Sequence, residues 1–431
     1  MKRYVIIGTS AAGVSCAETI RSIDKTAEIV MLTDEPYPHI YCRCLLSYYI
    51  ADEIPEEKLK YREDNFLEKN NIKVYFGKKV VAVDTEKNCV LLEDNTKLEY
   101  DKLLIATGAR SKMEEIPGVD KDGVYGLRTV DDAKKIIKKT TETNTAIILG
   151  GGLIGLKAAY ALKKRGLEVT VVVKSPRILS QVVDETSAKL VQSYIEKNGI
   201  KILTGLQAKE ICGDKKVEYV ILEDGQKLNC GLVIIGKGVQ PNIEFLQGSK
   251  IELGYGIKVN EYLQTNIENV YSAGDVAETN DLLLKGTTIY ALWPNAVIQG
   301  KIAGVNMVKN NVKKYDGTIA MNSVEFFGLY IISCGITRPK DIKEYEFLEV
   351  SNLQKNVYKK FVIKDNKLVG FVLVGDIEQA GVYNSLVRKK VDISSIKESL
   401  VQENFDFAKI LPLIKTNKDK FLEPEYSEIK F

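Results

Sequence analysis

The chain has 431 residues, enough for roughly two to four domains of ordinary size. Hydrophobic residues make up 45% and charged residues 28%, a globular balance that excludes a disordered or collagen-like chain. No apolar run approaches the roughly 18 residues of a membrane-spanning helix, and 61 Lys+Arg against 58 Asp+Glu leave a net charge of +3, too even for a nucleic-acid footprint. Nucleic acid and membrane are therefore set aside as partners. The seven cysteines are an odd number and, apart from Cys42 and Cys44, lie far apart, which points to reduced thiols and a cytoplasmic location. The one histidine, His39, leaves no constellation for a His-based metal site or a hydrolytic triad.

From the N-terminus, Met1 to Cys16 superficially resembles a secretory signal, basic and then apolar. It reads better as a buried strand over Arg3 to Ile7, a glycine turn, and a helix carrying Glu18 and Arg21, whose charges would interrupt a signal's apolar core. The turn, Gly8-Thr-Ser-Ala-Ala-Gly13, has dinucleotide-binding spacing with Ser10 in place of the middle glycine. Gly8 permits the tight turn and Gly13 close helix packing, while the N–H groups of Ala11 and Ala12 begin a helix whose N-terminus attracts a pyrophosphate. A second strand, Glu28 to Thr33, ends at Asp34 and Glu35, where a carboxylate, by preference Glu35, would accept hydrogen bonds from an adenosine ribose.

A second unit follows about 140 residues later. Strand Ala146 to Leu149 feeds Gly150-Gly-Gly152-Leu153-Ile154-Gly155, with all three glycines, and a helix from about Leu156 to Arg165. The next strand, Glu168 to Val173, ends in Val173-Lys174-Ser175 without an acidic residue. Lys174 and Arg177 are candidates for a 2′-phosphate or are ordinary solvated charges, so NADH and NADPH both stay open. Two dinucleotide units on one chain imply electron transfer between a nicotinamide and a flavin.

With these two motifs the chain resembles the pyridine nucleotide-disulfide oxidoreductase superfamily. Three further segments carry the likeness. Tyr100-Asp-Lys-Leu-Leu-Ile-Ala106-Thr107-Gly108-Ala is similar to its crossover segment. Thr265-Asn266 through Tyr271-Ser-Ala-Gly274-Asp275 is similar to its second flavin motif, and Ile234-Ile-Gly-Lys-Gly238-Val-Gln-Pro241-Asn to its return segment. The resemblance implies an α/β fold of two Rossmann-like domains, glutathione reductase-like, with FAD and NADH or NADPH as cofactors. It places Asp275 on the flavin ribitol. Ile40-Tyr-Cys42-Arg43-Cys44-Leu-Leu-Ser47-Tyr48 resembles the branch of rubredoxin reductases and nitrite reductase flavin domains, which implies FAD contacts for Arg43 and Ser47. Leu292-Trp293-Pro-Asn295-Ala296-Val-Ile-Gln299-Gly300 and Asn322-Ser-Val-Glu-Phe-Phe-Gly328 fit the same branch, with Asn295 and Ala296 near the flavin ring through backbone or side chain.

Two departures bear on mechanism. That branch commonly sets a Lys after the Ser and a Glu in the second glycine helix, near flavin N5, where this chain has Tyr48 and Lys157. Lys157 is either a lone cation favouring reduced flavin or a surface lysine. The segment from Cys44 to Ile50 also resembles that of coenzyme A-disulfide reductases and NADH oxidases or peroxidases, in which one cysteine works beside the flavin. Cys44 is therefore a thiol catalyst or a small structural residue, with Cys42 as a conceivable resolving thiol.

The flavin domain is expected over 1–111 and 243–315 and the nicotinamide domain over 112–242, entered at Gly126-Leu-Arg128-Thr-Val-Asp-Asp. A small α/β cap is expected over 316–431, with strands at Tyr358 to Ile363 and Leu368 to Val374 and a turn at Asp365-Asn366. In relatives this cap often forms a homodimer interface. The last 30 or so residues, with Lys415 to Lys420 and Glu423 to Glu428, read as a charged surface tail. The expected activity is transfer of electrons from NAD(P)H through FAD to rubredoxin, ferredoxin or an iron–sulfur enzyme. The rivals are a thiol flavoenzyme acting through Cys44 on a disulfide, persulfide, peroxide or oxygen, and a flavin subunit active only inside a larger complex.

Overall fold

The computed structural model describes residues 1–402 and 405–421. Strand β1 (Arg3–Ile7) runs into α1 (Ala11–Ile23), β2 (Glu28–Leu32), the short α2 (Leu46–Ile50), β3 (Ile72–Tyr75), β4 (Lys102–Ile105) and β5 (Ala109–Ser111). The chain continues with β6 (Val124–Tyr125), α3 (Val130–Thr140), β7 (Thr145–Leu149), α4 (Leu153–Lys164), β8 (Glu168–Val173), α5 (Glu185–Lys197), β9 (Ile200–Thr204) and β10 (Leu232–Ile235). It returns through β11 (Val239–Pro241) to β12 (Val270–Ser272) and the long helix α6 (Trp293–Lys309).

Each glycine unit lies at the middle of its own sheet. The first sheet is ordered β12, β4, β1, β2, β3 and the second β9, β8, β7, β10, β6, and every pairing in both is parallel. The central strands bury side chains on both faces, Tyr4 to Ile6 in one and Ile147 to Leu149 in the other, as a sheet covered by helices requires. Where the chain passes from one unit to the other and back, β5 pairs antiparallel with β11, Ser111 opposite Val239 and Ala109 opposite Pro241.

The expected strands fall within a residue of those observed, but α4 starts three residues earlier than the sequence pattern suggested. Gly152 takes an extended backbone and caps the helix, and the Leu156 N–H already donates to the Gly152 carbonyl at 3.0 Å. Leu153 and Ile154 therefore belong to the first helical turn.

The C-terminal part is an antiparallel sheet of β13 (Met321–Phe326), β14 (Leu329–Gly335), β15 (Glu346–Asn352), β16 (Val357–Lys364) and β17 (Lys367–Val374), ordered β13, β14, β17, β16, β15. Asp365 and Asn366 both take positive φ in the β16–β17 turn. Helix α7 (Ala380–Lys389) covers the sheet.

The tail expectation needs correction. Helix α8 (Phe407–Thr416), capped by Asp406 on the Ala408 N–H at 2.9 Å, presses Ile410 and Leu413 into the same core as Phe405 and Tyr383. The lysines from Lys415 to Lys420 hide this apolar stripe when the segment is read by charge. Glu423 to Glu428 lie outside the described residues. No helix among the described residues is long and apolar enough to cross a membrane.

Candidate cofactor site

Both glycine turns have the backbone shape that admits a dinucleotide. Gly8 and Gly150 hold φ of +117° and +128°, and a Cβ on either would collide with the carbonyl oxygens of Ala106 and Gly236 respectively. Gly13 and Gly155 touch the carbonyls of Gly8 and Gly150 just as closely, locking each helix to its strand. At the middle position the contacts vanish. A Cβ on Gly152 would meet nothing within 4 Å, and the side chain of Ser10, in the same extended backbone position, makes no capping bond. Each helix therefore presents unpartnered N–H groups to an open cradle, and the residues present fit a pyrophosphate at each.

At the first turn, Ala12, Gly274 and Ala296 converge, since a Cβ on Gly274 would lie 3.1 Å from that of Ala12 and 3.6 Å from that of Ala296. Gln299, one turn along α6, accepts the Gly274 N–H at 2.7 Å and so fixes the Gly274-Asp275 corner. The sequence motif contained Gln299, but nothing in it marked that role. Asn295 is buried with its side chain committed elsewhere, donating to Thr318 Oγ1 at 2.7 Å and to the Ile319 carbonyl at 3.3 Å.

The charged residues form a chain along the cradle. Glu35 accepts hydrogen bonds from Tyr41 and Arg43, Arg43 donates to the Arg128 carbonyl at 2.9 Å, and Arg128 donates to Asp275 at 2.5 Å and to the Ala109 carbonyl at 3.0 Å. Burial works against the Arg43 charge, but Tyr41 and Glu35 outweigh it and raise its pKa. Thr107 and Asn242 clamp the crossing strands with bonds of 2.9 and 3.0 Å, and Gly108 turns with φ +63° beside Arg128. Ser47 is buried at the start of α2 and Ala106 packs on Gly8, whereas Asp34 is exposed and Glu35 half-buried. At the second turn Val173 lies on Gly151, Lys174 is exposed, and Gly238 stands in open space with φ +93°.

Lys157 is not a surface lysine. Its ammonium sits 4.1 Å from the ring centres of both Tyr48 and Tyr160 and donates to the Glu325 carbonyl at 3.2 Å. Burial, first of all, lowers its pKa, and the charges of Glu325 and Glu53 only partly offset this.

The cysteines divide unequally. Cys44 is exposed and close enough to Asp275 and Arg128 to feel both charges, yet it acts as the donor to Cys42, which pushes its pKa well up. Cys42 accepts that thiol proton and the N–H groups of Cys44 and Leu45, which brings its pKa below the ordinary thiol value despite burial. Cys16, Cys89, Cys212, Cys230 and Cys334 are buried, and no cluster of metal-ligating side chains exists among the described residues.

The family model described as "Pyridine nucleotide-disulphide oxidoreductase" matches residues 2–300, which span both glycine turns and the Gly274-Asp275 corner. The chain belongs to that family. The model described as "Rubredoxin NAD+ reductase C-terminal domain" matches residues 321–391, the antiparallel sheet and α7 of this oxidoreductase. The assimilatory nitrate reductase electron transfer subunit of Bacillus subtilis is 31% identical over 403 residues, covering 93% of this chain and 51% of its own. The chain thus spans about half the length of that relative. The NADH-rubredoxin oxidoreductase of Clostridium acetobutylicum is 27% identical, covering 91% of this chain and 95% of its own. Among solved structures, a ferredoxin reductase from Rhodopseudomonas palustris superposes with a TM-score of 0.87 at 26% identity, over 95% of this chain and 99% of its own.

Proposed function

We propose that this oxidoreductase takes a hydride from NAD(P)H and passes the electrons, through bound FAD, to a small redox protein or an iron–sulfur partner. The observation that carries the proposal is the pair of open glycine cradles on twin parallel sheets, one of them completed by the Arg128–Asp275 pair and the Gln299-held corner. On this proposal the FAD-binding domain comprises 1–111 and 243–315, the nicotinamide domain 112–242 and the cap 316–431. The β5–β11 crossing at Ala109–Ser111 and Val239–Pro241 supports those limits.

The residues take distinct roles. Gly8, Ser10, Ala11, Ala12 and Gly13 receive the flavin pyrophosphate, Glu35 the adenosine ribose, and Asp275 the ribitol. Arg43 and Arg128 neutralise Glu35 and Asp275 and keep the two carboxylates in place. Gly150, Gly152 and Gly155 seat the nicotinamide dinucleotide, and Lys157 supplies a positive charge in a site partly closed to water. FAD in this cradle supplies the step from a two-electron donor to an acceptor taking electrons singly or in pairs.

The thiol alternative rests on one observation, the exposure of Cys44 beside Asp275 and Arg128. The complex-bound alternative rests on a relative that is itself an electron transfer subunit by name. Anaerobic titration of the purified protein with NADH and NADPH, in wild type and Cys44→Ser, tests all three. We expect one two-electron equivalent to bleach the flavin of both proteins and the wild type to reduce rubredoxin. Uptake of more than one equivalent, lost in the variant, would move the assignment to the thiol enzyme. Failure to reduce any added acceptor favours the subunit, and absence of bound flavin overturns the proposal.

A further inference from the structure

The β13–β14 hairpin turns through two residues, Phe327 and Gly328, between the paired Phe326 and Leu329. Both turn residues hold positive φ, +52° and +90°. A two-residue turn of that kind favours Asn-Gly, and a bulky side chain in the left-handed region is disfavoured because its Cβ crowds the following carbonyl. The conformation sets the half-buried Phe327 ring in one place. It reaches from the C-terminal sheet to α4 and meets Tyr160 with ring centres 4.9 Å apart, while the Phe327 carbonyl accepts the Tyr194 hydroxyl of α5 at 3.0 Å. Backbone strain that the surroundings hold in place points to a role for the group it positions.

Tyr160 is the residue on which that ring acts. It is buried, its hydroxyl donates to Glu53 at 2.5 Å, and its ring centre lies 4.1 Å from the Lys157 ammonium. Tyr160 is thus fixed at its hydroxyl by Glu53 and at its ring by Phe327. The same ammonium meets Tyr48, which follows the buried Ser47 in α2, and donates to the Glu325 carbonyl of the hairpin itself. The hairpin therefore engages the surroundings of Lys157 twice, through a carbonyl on the ammonium and through a ring on the ring that faces it. Cation–π attraction needs the ammonium over the ring face and weakens where water reaches the cation.

Resting on the place beside the flavin proposed for Lys157 above, we propose that Phe327 is a positioning residue for electron transfer. Its ring braces Tyr160 against Lys157 and closes that side to water, so that the lysine charge acts unscreened on the reduced flavin. The test is the flavin midpoint potential, read by equilibration with a two-electron reference dye, in the wild-type holoenzyme, Phe327→Asn, Phe327→Tyr, Lys157→Met and the double variant Phe327→Asn/Lys157→Met. Asn suits the turn, so Phe327→Asn should fold; if it does not, Phe327→Gly, which also suits two positive φ values, takes its place. At a fixed dye potential the ratio of reduced to oxidised flavin should fall about threefold in Phe327→Asn, or about 15 mV for a two-electron couple. It should stay at the wild-type value in Phe327→Tyr, which keeps the ring. The double variant should match Lys157→Met, because an effect routed through the lysine disappears with it. A wild-type potential in Phe327→Asn, an equal drop in Phe327→Tyr, or the same drop added on top of Lys157→Met would overturn the role and leave the lysine assignment standing. A wild-type potential in Lys157→Met would remove the lysine assignment and this proposal with it.

Discussion

Among the described residues no carboxylate reaches ion-pair distance of Lys157, and the aromatic faces of Tyr48 and Tyr160, with Phe326 farther off, take that place. Cation–π contact is worth on the order of 2 kcal/mol when desolvated and favours the charged ammonium against the burial that lowers its pKa. A buried positive charge favours the more negative, reduced form of a neighbouring flavin. Lys157→Met should therefore lower the flavin midpoint potential by roughly 20–40 mV, since about 30 mV corresponds to 1.4 kcal/mol for a two-electron couple. Spectroelectrochemical titration reads this directly, and an unchanged potential would show that the charge does not reach the flavin. Cys42 gives a second prediction. The thiolate is the reactive form and Cys42 has the depressed pKa, so its alkylation should switch on at lower pH than that of an ordinary thiol, near 8.5. Peptide mapping after brief iodoacetamide treatment between about pH 5 and 9 should find Cys42 labelled before the more exposed Cys44. The opposite order would refute the hydrogen-bond assignment. The family resemblance points to Cys44 as the thiol catalyst with Cys42 as its resolving thiol, whereas the order of acidity comes from which sulfur accepts the N–H groups of the following turn, a contact that sequence does not carry.

At the scale of the element, the glycine turns separate what the fold needs from what a ligand needs. Gly155→Ala would drive a methyl into the Gly150 carbonyl and part α4 from β7, an overpacking that costs about 1–3 kcal/mol or more. Gly152→Ala meets nothing within 4 Å at an ordinary negative φ of −82°. It should leave the melting temperature within about 2 °C, yet raise the dissociation constant for reduced nicotinamide about tenfold by placing a methyl in the phosphate path. Unchanged nicotinamide binding in a folded Gly152→Ala protein would mean that the cradle is not used. These turns were legible because strand, glycine spacing and helix are all local signals, and the parallel order around β1 and β7 followed from them. Helix α8 was not, because its apolar run from Ile410 to Ile414 is short, holds Pro412 and is flanked by lysines, and it becomes meaningful only against the Tyr383 and Phe405 surface. The start of α4 was misplaced for a smaller reason, that a glycine cap breaks the apolar period before the helix is under way.

Across the whole molecule, the second parallel sheet is clasped by the C-terminal sheet, and Asp184 is the centre of the clasp. It caps α5 through the Ser187 N–H at 3.2 Å and accepts from Tyr358 at 2.8 Å and Lys360 at 3.3 Å, all with 8% of its surface exposed. Tyr194 to the Phe327 carbonyl at 3.0 Å and Lys157 to the Glu325 carbonyl tie the same two bodies elsewhere. Sequence shows Asp184 at most as a helix cap, since its clasp partners Tyr358 and Lys360 lie more than 170 positions away. Asp184→Ala removes a helix cap worth about 1 kcal/mol and leaves the buried Tyr358 hydroxyl without an acceptor at about 1–3 kcal/mol. The expected loss is about 2–4 kcal/mol by these terms together. Asp184→Asn keeps an equally good cap and an acceptor for Tyr358. It loses only the charge facing Lys360, which retains Glu349 at 3.2 Å, so it should cost about 1 kcal/mol or less. Hydrogen exchange resolves where the loss falls. In Asp184→Ala, protection should drop over 177–197 and 357–364 and stay unchanged in β1 and β2, because the first sheet shares none of these bonds. Uniform loss across both sheets would instead show that the two parallel units unfold as one cooperative body and that the clasp has no separate identity.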